Sequence, residues 1–507
     1  MRFKLFTLLV TGTAGFGFTY AQITFGSAST GTVLQSELVK HGIKTVFPGD
    51  VGYPNATRAY NLRFTVHPVA VTFPQDTQQV SVVVKTSAAL GLKVVARSGG
   101  HSYIANGLGG TNGSLVVDLS VFKRISFDPA TNTAVVEPGN RLGEVVSRLN
   151  EVGRAIPHGR CTFVGFGGHS GFGGWGFPSR MWGLTLDNVE SATVVLANGT
   201  VVDVSDSQHP ELFWAIRGSS ASFGIVTSLT MKTYAVPPVG TFFQYAWDMD
   251  VTNATHAFSS FQTYATDPAL PNTFGGELLV LKGSARGRLL VVLLGSHYSA
   301  VEEYNRTVAP FLDALPAPTS AKVVSGSWID VVTAGAAGQL NTTGVEMPRD
   351  TFYAKSLMTP EDGQLLTEDA FNGLLKYLAE EGYDSDTFWH VEMELYGGRN
   401  SAINAVPLDA TAFGHRNTLF TFQPYASTGD LLPPFDNDIF GFVDGMVSSI
   451  TDRMPNDWAW GGYANYIDSR LDDWQHRYYG QHYERLQALK KSVDPANTFH
   501  FPTSIEE

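Results

Sequence analysis

Residues 161–176 constrain this chain more than any other stretch. They read Cys161-Thr162-Phe163-Val164-Gly165-Phe166-Gly167-Gly168-His169-Ser170-Gly171-Phe172-Gly173-Gly174-Trp175-Gly176. So many glycines weaken a strand interior, and the large aromatics are too apolar for an exposed linker. A backbone of this kind is expected where the main chain lies against a flat, largely apolar ligand. Simpler explanations fail. Gly171-x-Gly173-x-x-Gly176 fits the dinucleotide pattern, but no clear strand–turn–helix unit frames it. Gly168-His169-Ser170-Gly171 begins like a nucleophile elbow, yet Phe172 stands where the last glycine belongs. Zinc lacks ligands, since Cys161 is the only cysteine and the chain has no His-Glu-x-x-His helix.

A second segment has the same character. Arg97-Ser98-Gly99-Gly100-His101-Ser102-Tyr103 follows the buried strand pattern Lys93-Val94-Val95-Ala96. Adjacent glycines let a backbone approach a ligand closely, and successive amide groups there can cup an anion such as a diphosphate.

The chain has 507 residues, 16% of them charged, and a net charge of −13 with no basic run. Nucleic acid and anionic membrane surfaces are therefore poor partners. Residues 1–21 have the charged start, short apolar run and small terminal residue of a secretory signal, and no other stretch is apolar enough to span a bilayer. The mature protein is expected outside the cell as a soluble monomer. Asn-x-Ser/Thr sequons at Asn55, Asn112, Asn198, Asn253, Asn305 and Asn341 fit a glycosylated surface. A single cysteine is odd in that compartment: it is a buried bystander, an intermolecular link or a reactive thiol.

The first half reads as α+β, with short strands near 69–73, 93–96, 115–118, 124–127 and 133–137 and helices over 77–91 and 141–152. Asn198-Gly199 marks a hairpin between 192–196 and 200–203. After Pro237-Pro238 the chain changes to longer helices and alternating strands, 278–281, 289–294, 387–396 and 418–422, which puts a domain boundary near Val236. A helix is expected over 472–493. In Trp389–Tyr396, His390, Glu392, Glu394 and Tyr396 project from one face and Val391, Met393 and Leu395 from the other; taken alone, the polar face reads as solvated.

Taken together, the Arg97–Ser102 and Cys161–His169 segments, Trp182-Gly183-Leu184-Thr185-Leu186-Asp187-Asn188-Val189, Leu212–Gly218, Phe223–Thr227, Tyr463-Ala464-Asn465-Tyr466 and Asp494-Pro495-Ala496-Asn497-Thr498-Phe499 resemble the berberine bridge enzyme-like flavoproteins of the vanillyl-alcohol oxidase type. The resemblance covers nearly all of the mature chain. It implies a two-domain α+β FAD-linked oxidase fold: an FAD-binding domain over 22–235 with its core from about 63, a substrate domain over 236–460 whose antiparallel sheet is covered by helices, and a segment 461–507 that returns to the first domain. It also implies one FAD attached twice, through His101 at the 8-methyl carbon and Cys161 at ring carbon 6. Arg97, Ser98, Gly99, Gly100, Ser102, Gly165, Gly168, His169, Gly171, Gly224, Ile225, Val226 and Tyr463 would complete the cofactor site. No metal is implied.

Residues 351–357, 397–401 and 411–416 are similar to the fungal glucooligosaccharide oxidase branch. That likeness implies a pair of Glu394 and Tyr466 as the catalytic groups, with Glu394 where the branch typically has Asp, and Tyr103, Glu392 and Gln423 as substrate contacts. The expected reaction takes a reducing-end sugar hydroxyl to a lactone with O₂ reduced to H₂O₂. Tyr466 would act as base, its phenol pushed toward phenolate by its neighbours because free Tyr titrates near 10. Two other readings stay open: an oxidase of an aromatic alcohol or secondary metabolite on the same scaffold, and a non-catalytic carbohydrate-binding protein.

Overall fold

The computed structural model describes residues 25–506. The secretory segment at 1–21 lies outside the described residues. Among those described, no helix is long and apolar enough to cross a membrane. All six sequon asparagines are exposed.

Among the described residues, the first half builds two main sheets and a two-stranded pair, Arg154–Ala155 with Tyr234–Ala235. In the smaller sheet, strands Ala70–Phe73, Leu115–Asp118 and Val94–Arg97 run parallel, with Lys44–Val46 antiparallel at the edge. Parallel strands are buried on both sides, which is why they read as unbroken apolar runs. Helix Thr77–Ala89 is capped by Asp76, whose side chain accepts from the Gln79 amide. It inserts Val80, Val83 and Val84 into a core shared with Val94, Leu115, Val117 and Ile225. Ile225 belongs to the second, antiparallel sheet of Ile125–Asp128, Thr133–Val136, Ile225–Lys232, Val189–Val195 and Val201–Ser205. The expected Asn-Gly hairpin is the Val189–Val195 and Val201–Ser205 pair, in which Gly199 has φ +77°.

The second half is an eight-stranded antiparallel sheet. Its order is Ser320–Gly326, Gly240–Asp250, Arg288–His297, Phe274–Lys282, Phe388–Leu395, Thr418–Ser427 and Phe352–Ala354, with Leu357–Pro360 also paired to Thr418–Ser427. One face buries Val391, Met393 and Leu395 with residues of the covering helices Val251–Thr266, Glu368–Asp384 and Asp438–Thr451. The other faces the cleft. The strand Phe388–Leu395 is therefore not half solvated, because its polar side is covered by the first half of the chain.

Two local expectations change. Residues 472–493 do not form one helix: Trp474–Tyr479 and Tyr483–Val493 are separated at Gly480, whose φ of +53° no continuous helix accommodates. The glycine-rich segment contains a short helix, Phe166–Gly171. The final turn docks on the smaller sheet, where the Val94 amide donates to Thr498 O (2.7 Å). Buried Lys490 and Asp494 hold that turn through the Phe499 carbonyl and the Thr498 and Phe499 amides.

Candidate active site

A cleft of about 910 Å³ runs between the two halves. The glycine segments meet along it, backbone to backbone. A Cβ added to Gly99 would lie 2.5 Å from Gly165 Cα, and one added to Gly165 would lie 2.1 Å from Gly99 N, so neither position admits a side chain. Ser98 locks the contact: its hydroxyl donates to Pro138 O (2.5 Å) and accepts from the Gly167 amide (3.1 Å). Gly100 sits at φ +73°, the left-handed conformation glycine favours.

At one point of the cleft His101 Nε2 and Cys161 Sγ lie 3.7 Å apart. The His101 imidazole stacks on Tyr60, with ring centroids 3.7 Å apart, and burial pushes its pKa down to about 4, so it is a neutral nucleophile at ordinary pH. Cys161 is exposed to the cleft, which removes the buried-bystander reading. Its thiol is nevertheless pushed up by the protein packed around it, against the pull of the Phe163 and Val164 amides and of Arg160.

Of the residues expected to bind cofactor, Arg97, Ser98, Gly99, Gly100, His101, Ser102, Cys161, Gly165, Gly168, His169, Gly224, Val226 and Tyr463 line the cleft. Gly171 and Ile225 do not. Gly171 packs on the Ser220 side chain, and Ile225 points into the core because strand neighbours alternate sides, leaving Val226 on the cleft. Arg97 is engaged by Asp118 (2.5 Å) and the Ala56 carbonyl. Tyr463 orients backbone: its hydroxyl accepts from the Gly174 (2.8 Å), Trp175 (3.1 Å) and Asn465 (3.0 Å) nitrogens.

The acidic end of the cleft follows from sheet register. Glu394 lies opposite Glu277 on one neighbouring strand and Thr421 on the other, and Glu392 lies opposite Gln423. Opposed residues of antiparallel strands share a face, so these side chains form two rows on one side of the sheet, of which Glu392, Glu394 and Gln423 line the cleft while Glu277 and Thr421 are buried beside it. Tyr466, on the C-terminal loop, donates to Glu394 Oε1 at 2.5 Å. The longer Glu side chain therefore reaches the phenol. Tyr103 stacks parallel to Tyr466 at 6.0 Å, and its hydroxyl accepts from Gln423 Nε2 (3.0 Å).

Glu394 is 1% exposed and its Oε2 has no partner. Burial holds its carboxyl well above the usual range, reinforced by Glu392 and Glu277 and opposed by the Tyr466 hydrogen bond and Arg160. Tyr466 is also held well above an ordinary phenol, by burial and then by Glu394 and Glu392. This corrects the expected phenolate: the neighbours are acids, which disfavour a second negative charge, so Tyr466 rests as the neutral phenol.

Two residues at this end were absent from the sequence reading. Arg160 Nη2 donates to Glu277 Oε1 (2.5 Å) and Glu392 Oε1 (3.1 Å). Glu277 is fully buried, and burial keeps its carboxyl raised against the attraction of Arg160. The available signal was the acid itself, the one charged residue in the interior of the strand Phe274–Lys282.

Comparison with known proteins agrees with this geometry. Residues 68–205 match an FAD binding domain, and 462–506 match the berberine and berberine-like family. The chain is 34% identical to the xylooligosaccharide oxidase of Thermothelomyces thermophilus over 88% of its length and 89% of that protein's. It is 33% identical to the chitooligosaccharide oxidase of Gibberella zeae, covering 93% and 94%. A solved structure of the glucooligosaccharide oxidase from Acremonium strictum, which carries a 6-S-cysteinyl, 8α-N1-histidyl FAD, superposes with a TM-score of 0.86 at 29% identity, covering 94% of this chain and 99% of that one.

Proposed function

The chain belongs to the berberine and berberine-like FAD-linked oxidases, together with the fungal oligosaccharide oxidases, and we propose that it oxidises the reducing-end anomeric hydroxyl of oligosaccharides to the lactone with reduction of O₂ to H₂O₂. The observation that carries this reading is the 2.5 Å hydrogen bond from Tyr466 to buried Glu394 at the acidic end of the cleft.

The cleft fits FAD. Its walls are glycine backbones too close together for side chains, and His101 and Cys161 stand side by side with Nε2 and Sγ 3.7 Å apart, near enough to bond the same ring. His101 and Cys161 would hold the flavin covalently. When bound, FAD would supply the acceptor for the hydride of the anomeric carbon and the means by which that electron pair, together with two protons, reduces O₂ to H₂O₂.

The proton is handled by the protein. The sugar hydroxyl gives its proton to Tyr466 Oη while the phenol gives its own to Glu394 Oε1, so no free phenolate forms. This relay requires ionised Glu394 in the resting enzyme. Tyr103, Gln423 and Glu392 line the same space and supply hydrogen-bonding groups to sugar hydroxyls. We assign 22–235 to cofactor binding, 236–460 to substrate binding and 461–507 to the segment that brings Tyr466 back to the cleft. The exposed sequons and the leader-like residues 1–21 support a secreted glycoprotein.

Steady-state oxygen consumption with cello-, xylo- and chito-oligosaccharides, set against aromatic alcohols, tests the proposal. Turnover of at least one sugar series supports it. Turnover of aromatic alcohols alone assigns the scaffold to the other oxidase reading.

A further inference from the structure

The acidic end of the cleft presents a problem in electrostatics. One oxygen from each of Glu277, Glu392 and Glu394 lies within 4.8 Å of the others. Carboxylates this close do not all ionise unless a positive charge accompanies them. The groups that face Glu394 come from several elements. They are Glu277 and Thr421 from the flanking strands, Glu392 and Tyr396 from its own, Tyr463 and Tyr466 from the C-terminal loop, and Arg160 from the loop before Cys161. Tyr103 stacks behind Tyr466, and His390 stands one position beyond Glu392 on the same face. Burial keeps the His390 imidazole neutral. Among these described residues Arg160 alone carries a permanent positive charge.

Its position is fixed on both sides. Arg160 Nη2 bridges Glu277 and Glu392, and the guanidinium lies 5.3 Å above the centre of the Phe177 ring. The side chain lines the cleft and keeps 29% of its surface exposed. It forms no hydrogen bond or ion pair with Glu394 or Tyr466, though its charge acts on both.

We propose that Arg160 is a positioning residue for proton transfer: its single positive charge, held between Glu277 and Glu392, offsets the negative charge beside Glu394 and leaves Glu394 ionised and able to take the substrate proton relayed by Tyr466. The proposal rests on the Tyr466–Glu394 reading given above. Without Arg160 nothing offsets the negative charge at this end of the cleft, and Glu394, which like Glu277 has a buried oxygen without a partner, takes up a proton. The relay then starts from an occupied acceptor.

The test compares Arg160→Gln, Arg160→Lys, Glu392→Gln and the double variant R160Q/E392Q with the wild type, each with flavin attachment at His101 and Cys161 checked by peptide mass. The pH profile of kcat is read by peroxide release. Arg160→Gln should move the acid limb upward by about one pH unit or more, a roughly tenfold loss at a fixed pH below the limb. Arg160→Lys should keep the limb near its wild-type position. Glu392→Gln should move it down, and the double variant should lie above Glu392→Gln, a comparison that decides the matter even if Arg160→Gln fails to fold. Infrared titration of the carboxylic-acid carbonyl band reports protonation without turnover and should shift the same way. A limb and band that stay in place, with or without a uniform loss of rate, would overturn the proposal. A wild type inactive on every sugar sinks the proposed function instead, while the infrared titration still decides the role of Arg160.

Discussion

Replacing Tyr466 with Phe removes one hydroxyl and little else. The ring keeps its parallel contact with Tyr103 at 6.0 Å and its edge contact with Tyr463 at 5.0 Å, so packing around the cleft should persist. What disappears is the donor to Glu394 Oε1 and the atom that would face the sugar hydroxyl. Glu394 Oε2 is already without a partner, so the variant leaves both oxygens of a buried acid unsatisfied. That costs about 1–3 kcal/mol as a carboxylate and favours the protonated form. A positioned general base contributes about 10²–10⁴ in rate, or roughly 2.7–5.5 kcal/mol at about 1.36 kcal/mol per tenfold. Tyr466→Phe should therefore retain covalent flavin and thermal stability within about 3 kcal/mol while losing at least a hundredfold in the rate of anaerobic flavin reduction by an oligosaccharide. Stopped-flow absorbance isolates that step from reaction with O₂. A fully flavinylated variant that is reduced within threefold of the wild-type rate would refute the relay.

Wild-type kcat/KM should fall on the acid side. The active form needs ionised Glu394, whose carboxyl is raised by burial and by Glu392 and Glu277, so activity is present above that raised pKa and lost as pH falls through it. The limb should sit above the ordinary carboxylate range of about 4.3, measured by peroxide release at constant ionic strength. Cys161→Ser should abolish the flavin bond to its own peptide while the His101 peptide still carries flavin in mass spectra; doubly linked flavin in that variant would contradict the assignment. Gly99→Ala, whose Cβ would lie 2.5 Å from Gly165 Cα, should lower stability by about 1–3 kcal/mol and reduce flavin content. Gly168→Ala, whose Cβ would meet no atom within 4 Å beyond its own helix and its chain neighbours, should fold normally, and thermal melts of the two variants make the comparison.

The cofactor side was legible because its constraint is local. Gly99 and Gly165 are glycines for a reason that adjacent residues announce, and His101 and Cys161 sit inside the same segments. Gly171 and Ile225 were assigned to the cleft by their place in motifs, but helix packing and strand alternation turn them away from it. The acidic end was legible only in part. The alternation of His390, Glu392, Glu394 and Tyr396 put these side chains on one face, but a strand cannot announce what covers that face. Glu277 meets Glu394 through the register of strands more than a hundred residues apart, and Arg160 reaches Glu277 and Glu392 across the cleft from the other half of the chain. The resting phenol was misjudged because its burial, which no local pattern announces, disfavours the phenolate before the paired acids add to it.

The most direct measurement mixes the flavinylated protein anaerobically with a reducing oligosaccharide and, separately, with the same sugar reduced at its end to the alditol. The anomeric hydroxyl is present in the first and gone in the second. Bleaching of the flavin by the reducing sugar alone, followed on aeration by H₂O₂ equimolar with lactone, is the result predicted here. Equal bleaching by both sugars, or by neither while an aromatic alcohol bleaches the flavin, would contradict it.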